Sequence, residues 1–218
     1  MKDRLINIDL KKVLENKIDL ILAKKLKSKP STENKDEVYQ IKEVAKMRKK
    51  CTDYITHINN QEDKIYLKSR HFPVNMRLFK TSSEYKEIIL AQCAYIRKLA
   101  LTKNDGYKKP HGMSSANLGL SFNIIGIVKE RNTSREYCDI MINPEIKKRY
   151  GDKVDALSNC GSLTLPNPIA IKRFEFVRVE WYSEDGRIHD SAFSREGNSF
   201  TIQHEIQHNL GILITDIK

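Results

Sequence analysis

The chain has 218 residues, of which 39 % are hydrophobic and 31 % charged, and its formal net charge at pH 7 is +11. This length suffices for a large domain with a buried core, and the composition excludes collagen-like, low-complexity and disulfide-scaffold proteins. No apolar run approaches the roughly 18 residues of a membrane span, so we expect no membrane partner. The four cysteines are far apart and no signal-peptide pattern is present, which predicts a cytoplasmic protein, with organellar import as an open alternative.

The positive charge is concentrated in the first third of the chain. Residues 1–70 contain 18 basic and 11 acidic side chains, a net charge of +7. Apolar residues recur at helical spacing over residues 10–22, and a second helix is predicted over residues 37–54. We therefore expect a basic helical extension over residues 1–67, able to contact the ribosome, and a main domain over residues 68–218.

The main domain mixes helices with short strands. Ser82 or Ser83 is placed to cap a helix that ends near Asn104, and a second helix is predicted over residues 197–209, with Gly211 at its exit. Apolar or alternating runs predict strands over residues 122–129, 137–143, 174–182 and 187–193. This order of elements predicts an α+β fold.

The last predicted helix carries an H-E-x-x-H motif, formed by His204, Glu205 and His208. Two histidines four residues apart lie on one face of a helix, so both imidazoles can bind one metal ion while the glutamate acts as a base. Because no suitable third ligand follows the motif, it must lie upstream. By residue type the candidates are His189, Cys160 and Cys138.

The sequence resembles the peptide deformylase family over about residues 72–218. Members of that family carry a G-x-G-L-A-A-x-Q segment, an E-G-C-L-S-x-P segment that donates a cysteine ligand, and H-E-x-x-H on a helix. Residues 110–119, 160–166 and 203–208 are similar to these three segments, in the same order. The resemblance implies short, mostly antiparallel β-sheets around a central H-E-x-x-H helix.

Two of the three segments depart from the family pattern. In a gapless comparison, Ser162 takes the position of the metal-binding cysteine, Cys160 takes the preceding glutamate, and Asn117 replaces the glutamine. A serine hydroxyl is a much poorer ligand than a thiolate. The predicted third ligand is therefore Ser162 or, if the loop follows a different path, Cys160.

The resemblance implies a metallohydrolase that removes the formyl group from N-formylmethionine of nascent polypeptides, a co-translational step of N-terminal methionine processing. It implies one Fe²⁺ or Zn²⁺ ion held by His204 and His208, and Glu205 as the base. It also implies an oxyanion held by the backbone N–H of Leu163 and the amide of Asn117.

The predicted partner is an N-formylmethionyl peptide bound by a monomer. Its predicted contacts are Gly112, His111, Phe200 and Thr201. The alternative function is that of a catalytically impaired, deformylase-like module that binds a chain end or the ribosome. The fold does not decide between the two, because a fold can persist without its chemistry.

Overall fold

The computed structural model describes residues 71–101, 110–118, 122–161, 163 and 167–217. It contains three α-helices, α1 (Met76–Thr81), α2 (Ser83–Leu101) and α3 (Ser199–Asn209), and five strands, β1 (Gly112–Ser114), β2 (Ile124–Lys129), β3 (Tyr137–Ser158), β4 (Ile169–Tyr182) and β5 (Ile188–Phe193). Two short 3₁₀ helices cover Ser115–Leu118 and Ile214–Asp216. The predicted extension over residues 1–67 lies outside the described residues. No described helix has the length and apolar character needed to cross a bilayer.

The five strands form one antiparallel sheet in the order β1-β2-β3-β4-β5. The α+β prediction is confirmed, but the two central strands are longer than expected, since β3 has 22 residues and β4 has 14. The sequence predicted a strand only over residues 137–143. Three register shifts interrupt the β3–β4 pairing, and Asn143 and Gly151 have positive φ angles of 52° and 75°. Such bulges break the alternation of apolar residues that marks a strand.

Both faces of the sheet are covered around β2, which explains its continuous apolar sequence. Ile124 and Val128 belong to the hydrophobic cluster that α2 completes on one face. Ile125 and Ile127 belong to the cluster that α3 completes on the opposite face. Because successive side chains of a strand point to opposite faces, a strand between two helices is apolar at every position.

Helix α1 was not predicted, because it has only six residues. The side chain of Asn75 caps it by accepting hydrogen bonds from the backbone N–H groups of Arg77 and Leu78, each at 3.1 Å. This cap replaces the backbone acceptors that the first turn lacks. Phe79 anchors the helix in the core, where it is 1 % exposed.

A third hydrophobic cluster lies where the β3–β4 hairpin meets the C-terminal residues. Cys160, two residues beyond the end of β3, packs there with Ala116, Leu163 and Ile171, and Leu213 and Ile214 complete the cluster. The hairpin therefore brings Cys160 close to the end of α3.

Candidate metal centre

Helix α3 is held against the sheet by its apolar residues and by Gln203. Ile202 and Ile206 pack in the cluster that contains Val177 and Val179 of β4. The Gln203 amide donates a hydrogen bond to the carbonyl oxygen of Phe174 at 2.8 Å and accepts one from its backbone N–H at 3.3 Å. The helix thus completes hydrogen bonds at the edge of β4 and cannot slide along the strand without breaking them.

Three possible ligand atoms meet at this helix. The Sγ atom of Cys160 lies 3.2 Å from Nε2 of His208, which lies 3.1 Å from Nε2 of His204. All three atoms are within 4.8 Å of one another. Among the described residues, this is the one group of histidine, cysteine and acidic side chains close enough to hold a metal ion.

Of the two predicted third ligands, the structure brings Cys160 to the histidines, while Ser162 lies outside the described residues. With Cys160 aligned to the metal-binding cysteine, residues 158–162 read S-N-C-G-S against the family's E-G-C-L-S. In that alignment, Ser158 takes the position of the family's glutamate. The other two candidates by type, His189 and Cys138, are not part of the group.

The carboxyl group of Glu205, the residue after His204, is buried, with the whole residue 4 % exposed. Burial raises its pKa to about 8, although the charge of Arg173 and a backbone hydrogen bond from Ser114 act in the opposite direction. Its Oε2 atom has no hydrogen-bond partner among the described residues. A buried carboxyl oxygen without a partner is positioned to accept a proton from water or substrate.

Burial also keeps both histidines neutral. It lowers the pKa of His208 to about 4 and places the pKa of His204 well below its ordinary value. The nearby charge of Arg173 lowers both pKa values further. Neutral imidazoles retain the nitrogen lone pair that a metal ion needs, so this environment favours ligation.

Arg173 is a member of the site that the sequence analysis missed. It is 2 % exposed, and it donates a hydrogen bond to Oε1 of Gln207 at 2.9 Å. Its other terminal nitrogen lies 3.4 Å from Nδ1 of His204. Burial lowers its pKa to about 10, so it remains charged at neutral pH. The sequence did contain a signal for its burial. Arg173 is an even number of residues from the inward-facing Ile171 and Val177 of β4, so its side chain points to the same face of the sheet.

The structure places Gly112, one of the predicted substrate contacts, against Glu205 and against Thr201, another predicted contact. A Cβ atom added at Gly112 would lie 2.7 Å from Cγ2 of Thr201 and 2.9 Å from Cγ of Glu205. The backbone of β1 therefore passes α3 at a distance that only glycine permits.

The other two predicted contacts have additional partners. Nε2 of His111 lies 2.7 Å from a guanidinium nitrogen of Arg131, and the His111 carbonyl accepts a bond from the next strand. Phe200 lies in the first turn of α3, with the guanidinium of Arg195 5.6 Å from its ring centre.

The two predicted oxyanion donors differ in their surroundings. Oδ1 of Asn117 accepts hydrogen bonds from the backbone N–H and the hydroxyl of Ser114, both at 2.7 Å, which fixes the orientation of its amide. The backbone N–H of Leu163 donates to the carbonyl oxygen of Cys160 at 3.1 Å. In this structure that donor closes a turn, and its role toward an oxyanion stays a prediction.

Comparison with known sequences gives a consistent result. A family model described as polypeptide deformylase matches residues 73–217. A peptide deformylase of Karelsulcia muelleri (strain GWSS) is 33 % identical over 106 residues, which cover 48 % of this chain and 54 % of that protein. The chain thus spans about half the length of this curated relative.

Solved structures share the fold. A probable peptide deformylase from Synechococcus phage S-SSM7 matches with a TM-score of 0.51 and 22 % identity over 70 % of this chain and 93 % of that one. The Met-Ala-Ser-bound class I type b peptide deformylase from Acinetobacter baumannii matches with a TM-score of 0.53 and 21 % identity. This match covers 69 % of this chain and 92 % of that one. A peptide deformylase from Synechococcus elongatus in complex with actinonin matches with a TM-score of 0.52 and 22 % identity. This match covers 70 % of this chain and 76 % of that one. The predicted deformylase-like fold is confirmed.

Proposed function

The chain belongs to the polypeptide deformylase family, and we propose that it is a metal-dependent hydrolase that removes the formyl group from N-formylmethionine at the start of new polypeptides. One observation carries this proposal. The Sγ atom of Cys160 and imidazole nitrogens of His204 and His208 lie within 4.8 Å of one another, and Glu205, the residue after His204, is buried. Catalytic metal sites usually have three protein ligands, an open coordination position and a base nearby.

The donor set fits one divalent ion, Fe²⁺ or Zn²⁺, held by Cys160, His204 and His208. A thiolate and two neutral imidazoles have the intermediate softness that both ions accept. A metal bound there would supply Lewis-acid chemistry, lowering the pKa of water and polarising the formyl oxygen. Among the described residues, Nδ1 of buried His208 has no hydrogen-bond partner, so it is open to a partner of the kind that orients metal-binding histidines.

Glu205 is assigned the proton transfers. It takes a proton from the attacking water, whose oxygen adds to the formyl carbon, and it returns the proton to the nitrogen as the C–N bond breaks. Formate and a free methionine amine are the products. Burial raises the pKa of Glu205 to about 8, close to neutral pH, where a group exchanges protons most effectively in both directions.

Two donors are assigned to the negative charge that develops on the formyl oxygen. The first is the amide of Asn117, whose orientation is fixed by its two bonds from Ser114. The second is the backbone N–H of Gly161. We derive it from the family comparison, in which the residue after the metal-binding cysteine has this role, and Gly161 follows Cys160.

The substrate is assigned to the surface beside β1 and the start of α3. The related Acinetobacter baumannii enzyme is described with Met-Ala-Ser bound, which supports a peptide that begins with methionine. Gly112 packs against Thr201 and Glu205 at one edge of this surface. Phe200 and His111 are proposed to line it further out. A cytoplasmic monomer that approaches the ribosome through residues 1–67 fits this role.

Formate release from formyl-Met-Ala-Ser, measured with anaerobically purified protein alongside elemental analysis, tests the function. We expect wild type to contain about one metal ion per chain and to release formate. Glu205→Gln should keep the metal and lose hydrolysis, because its role is proton transfer. Cys160→Ala should lose both.

Cys93→Ala is the matched control, because Cys93 is a buried cysteine in the α2 cluster, away from the ligand group. It should retain metal and activity. Full metal loading without formate release, across several formyl-peptides, would contradict the hydrolase and favour the binding module.

A further inference from the structure

The β3–β4 hairpin carries an exposed stripe of aromatic and basic side chains that the hydrolase does not use. Strand pairing places Lys148 opposite Arg178, Tyr150 opposite Phe176, and Lys153 opposite Phe174. We call these six residues the outer hairpin face. They lie on the side of the sheet that faces away from α3, because the α3 cluster takes the odd-numbered Val177 and Val179 of β4. No described helix packs on this part of the face.

An aromatic pair forms the middle of the outer hairpin face. The rings of Tyr150 and Phe176 are stacked, with centroids 5.5 Å apart and an interplanar angle of 7°. Phe176 is 37 % exposed, which is unusual for a phenylalanine in the centre of a strand pair. Gly151, with φ of 75°, lets β3 bend around the ring, since an added Cβ would lie 2.8 Å from it. The backbone is therefore adapted to present this aromatic surface.

Cations stand on both sides of the aromatic pair. Lys153 lies over the ring of Phe174, 5.1 Å from its centre. Neither Lys148 nor Lys153 forms an ion pair with a carboxylate of the described residues. Arg178, in contrast, is paired with Asp190 at 2.7 Å. Two uncompensated charges thus flank stacked rings on a solvent-exposed surface.

A depression of about 440 Å³ adjoins the aromatic pair on the β5 side. It is lined by Lys148, Tyr150, Arg178, Asp190, Ser191 and Ala192. Its walls thus offer the ammonium group of Lys148 for a phosphate, the aromatic edge of Tyr150 for a base, and the carboxylate of Asp190 for a sugar hydroxyl. That carboxylate suits ribose, because it can accept a hydrogen bond from the 2′-hydroxyl, the group by which proteins distinguish RNA from DNA.

We propose that the outer hairpin face binds single-stranded RNA. Phe176 and Tyr150 provide a stacking surface for an unpaired base, and Lys148 and Lys153 contact the phosphates on either side of it. Alternation of aromatic and basic groups is how proteins bind single strands without strong sequence preference, since every base has a π-face. This inference is independent of the hydrolase and survives if the hydrolase fails.

Fluorescence anisotropy of the full chain with a labelled single-stranded RNA of about 12 nucleotides tests the proposal. Phe176→Leu should weaken binding about tenfold and leave the salt dependence unchanged, because it removes a stacking surface but no charge. The double variant Lys148→Gln, Lys153→Gln should weaken binding and lower the slope of log affinity against log salt by about 1.4. DNA of the same sequence should bind more weakly than the RNA.

Matched variants elsewhere on the surface provide the controls. Tyr137→Leu removes an aromatic side chain that is 50 % exposed at the start of β3, outside the outer hairpin face. Arg77→Gln with Lys80→Gln removes two exposed charges from α1. Neither should change RNA affinity as much as its counterpart. Thermal melts of all variants identify losses that arise from unfolding.

Three results would overturn the proposal. The first is RNA binding that is equal in wild type, Phe176→Leu and the double-lysine variant, which would place the contact elsewhere in this basic chain. The second is crosslinking of 4-thiouridine RNA to peptides that exclude β3 and β4. The third is binding of an acidic peptide or of anionic vesicles to this face without binding of RNA.

Discussion

Gly112→Ala should inactivate the hydrolase by displacing Glu205, with little change in fold. The added Cβ would lie 2.7 Å from Cγ2 of Thr201 and 2.9 Å from Cγ of Glu205, and ordinary contact begins near 3.4 Å. The neighbours must therefore move by up to 0.7 Å, the difference between 3.4 and 2.7 Å. Thr201 is β-branched and lies in α3, so its side chain has few alternative rotamers. The side chain of Glu205 must therefore move by most of this distance. A shift of this size in a catalytic group lowers the rate by about 10- to 100-fold.

Gly126→Ala is the matched control for this displacement. Gly126 lies on β2, paired with Met113, the neighbour of Gly112. A Cβ there would lie 2.7 Å from Sγ of Cys138 and 2.8 Å from Cγ2 of Ile96, so the overlap is equal but faces α2. Both variants should lose about 1–3 kcal/mol of unfolding free energy, as overpacked sites do.

The assays are urea unfolding for stability, elemental analysis for metal and formate release for activity. We expect similar stability losses in the two glycine variants and a large loss of formate release only in Gly112→Ala. Equal activity in both variants, at equal stability, would refute the argument that β1 positions the base through this contact.

Ser162→Cys should add little metal affinity in an equilibrium titration, because Cys160 already supplies a thiolate; a large gain would restore Ser162 as the third ligand. A strong chelator should lower the melting temperature of wild type and leave Cys160→Ala unchanged, since a ligand that binds only the native state at about 100 times its Kd stabilises it by about 2.7 kcal/mol. Arg173→Met should cost about 1 kcal/mol in urea unfolding, because it leaves half-buried Gln207 Oε1 without its donor, and a neutral result would show that the contact is dispensable. Raising the pH above 10 should destabilise the fold, because burial raises the pKa of Tyr85 to about 12 and favours ionisation in the unfolded chain; Tyr85→Phe should lack this part of the pH dependence.

The parts of the site that the sequence predicted are those that one element determines by itself. The geometry of His204 and His208 follows from the period of a helix, so their spacing of four residues was enough to predict that they share one face. Cys160 is 48 residues from His208, and its approach depends on how a bulged hairpin closes, which no local pattern records. The sequence therefore limited the third ligand to two residues, and tertiary structure was needed to favour one.

Bulges explain the other errors as well. The pairing of β3 with β4 shifts register three times, and the residues around those shifts are polar, so only the first part of β3 resembled a strand. Arg173 was missed because it was counted as one of many basic residues, although its parity on β4 matches the buried Ile171. A cation at a core position of an alternating strand is a stronger signal than its charge alone, because burial of an unpaired charge is costly.

The regular alternation of β4 also separates the two proposed activities. Its odd-numbered residues face α3, where Arg173 contacts His204, and its even-numbered residues Phe174 and Phe176 form the opposite surface. A substitution on one face changes side chains that the other face does not contact. Phe176→Leu should therefore keep full formate release, and Gly112→Ala should keep full RNA affinity. If either variant lost both activities while remaining folded, the two faces would be coupled through the hairpin. The hydrolase and the RNA-binding surface could then not be assigned to separate sets of residues.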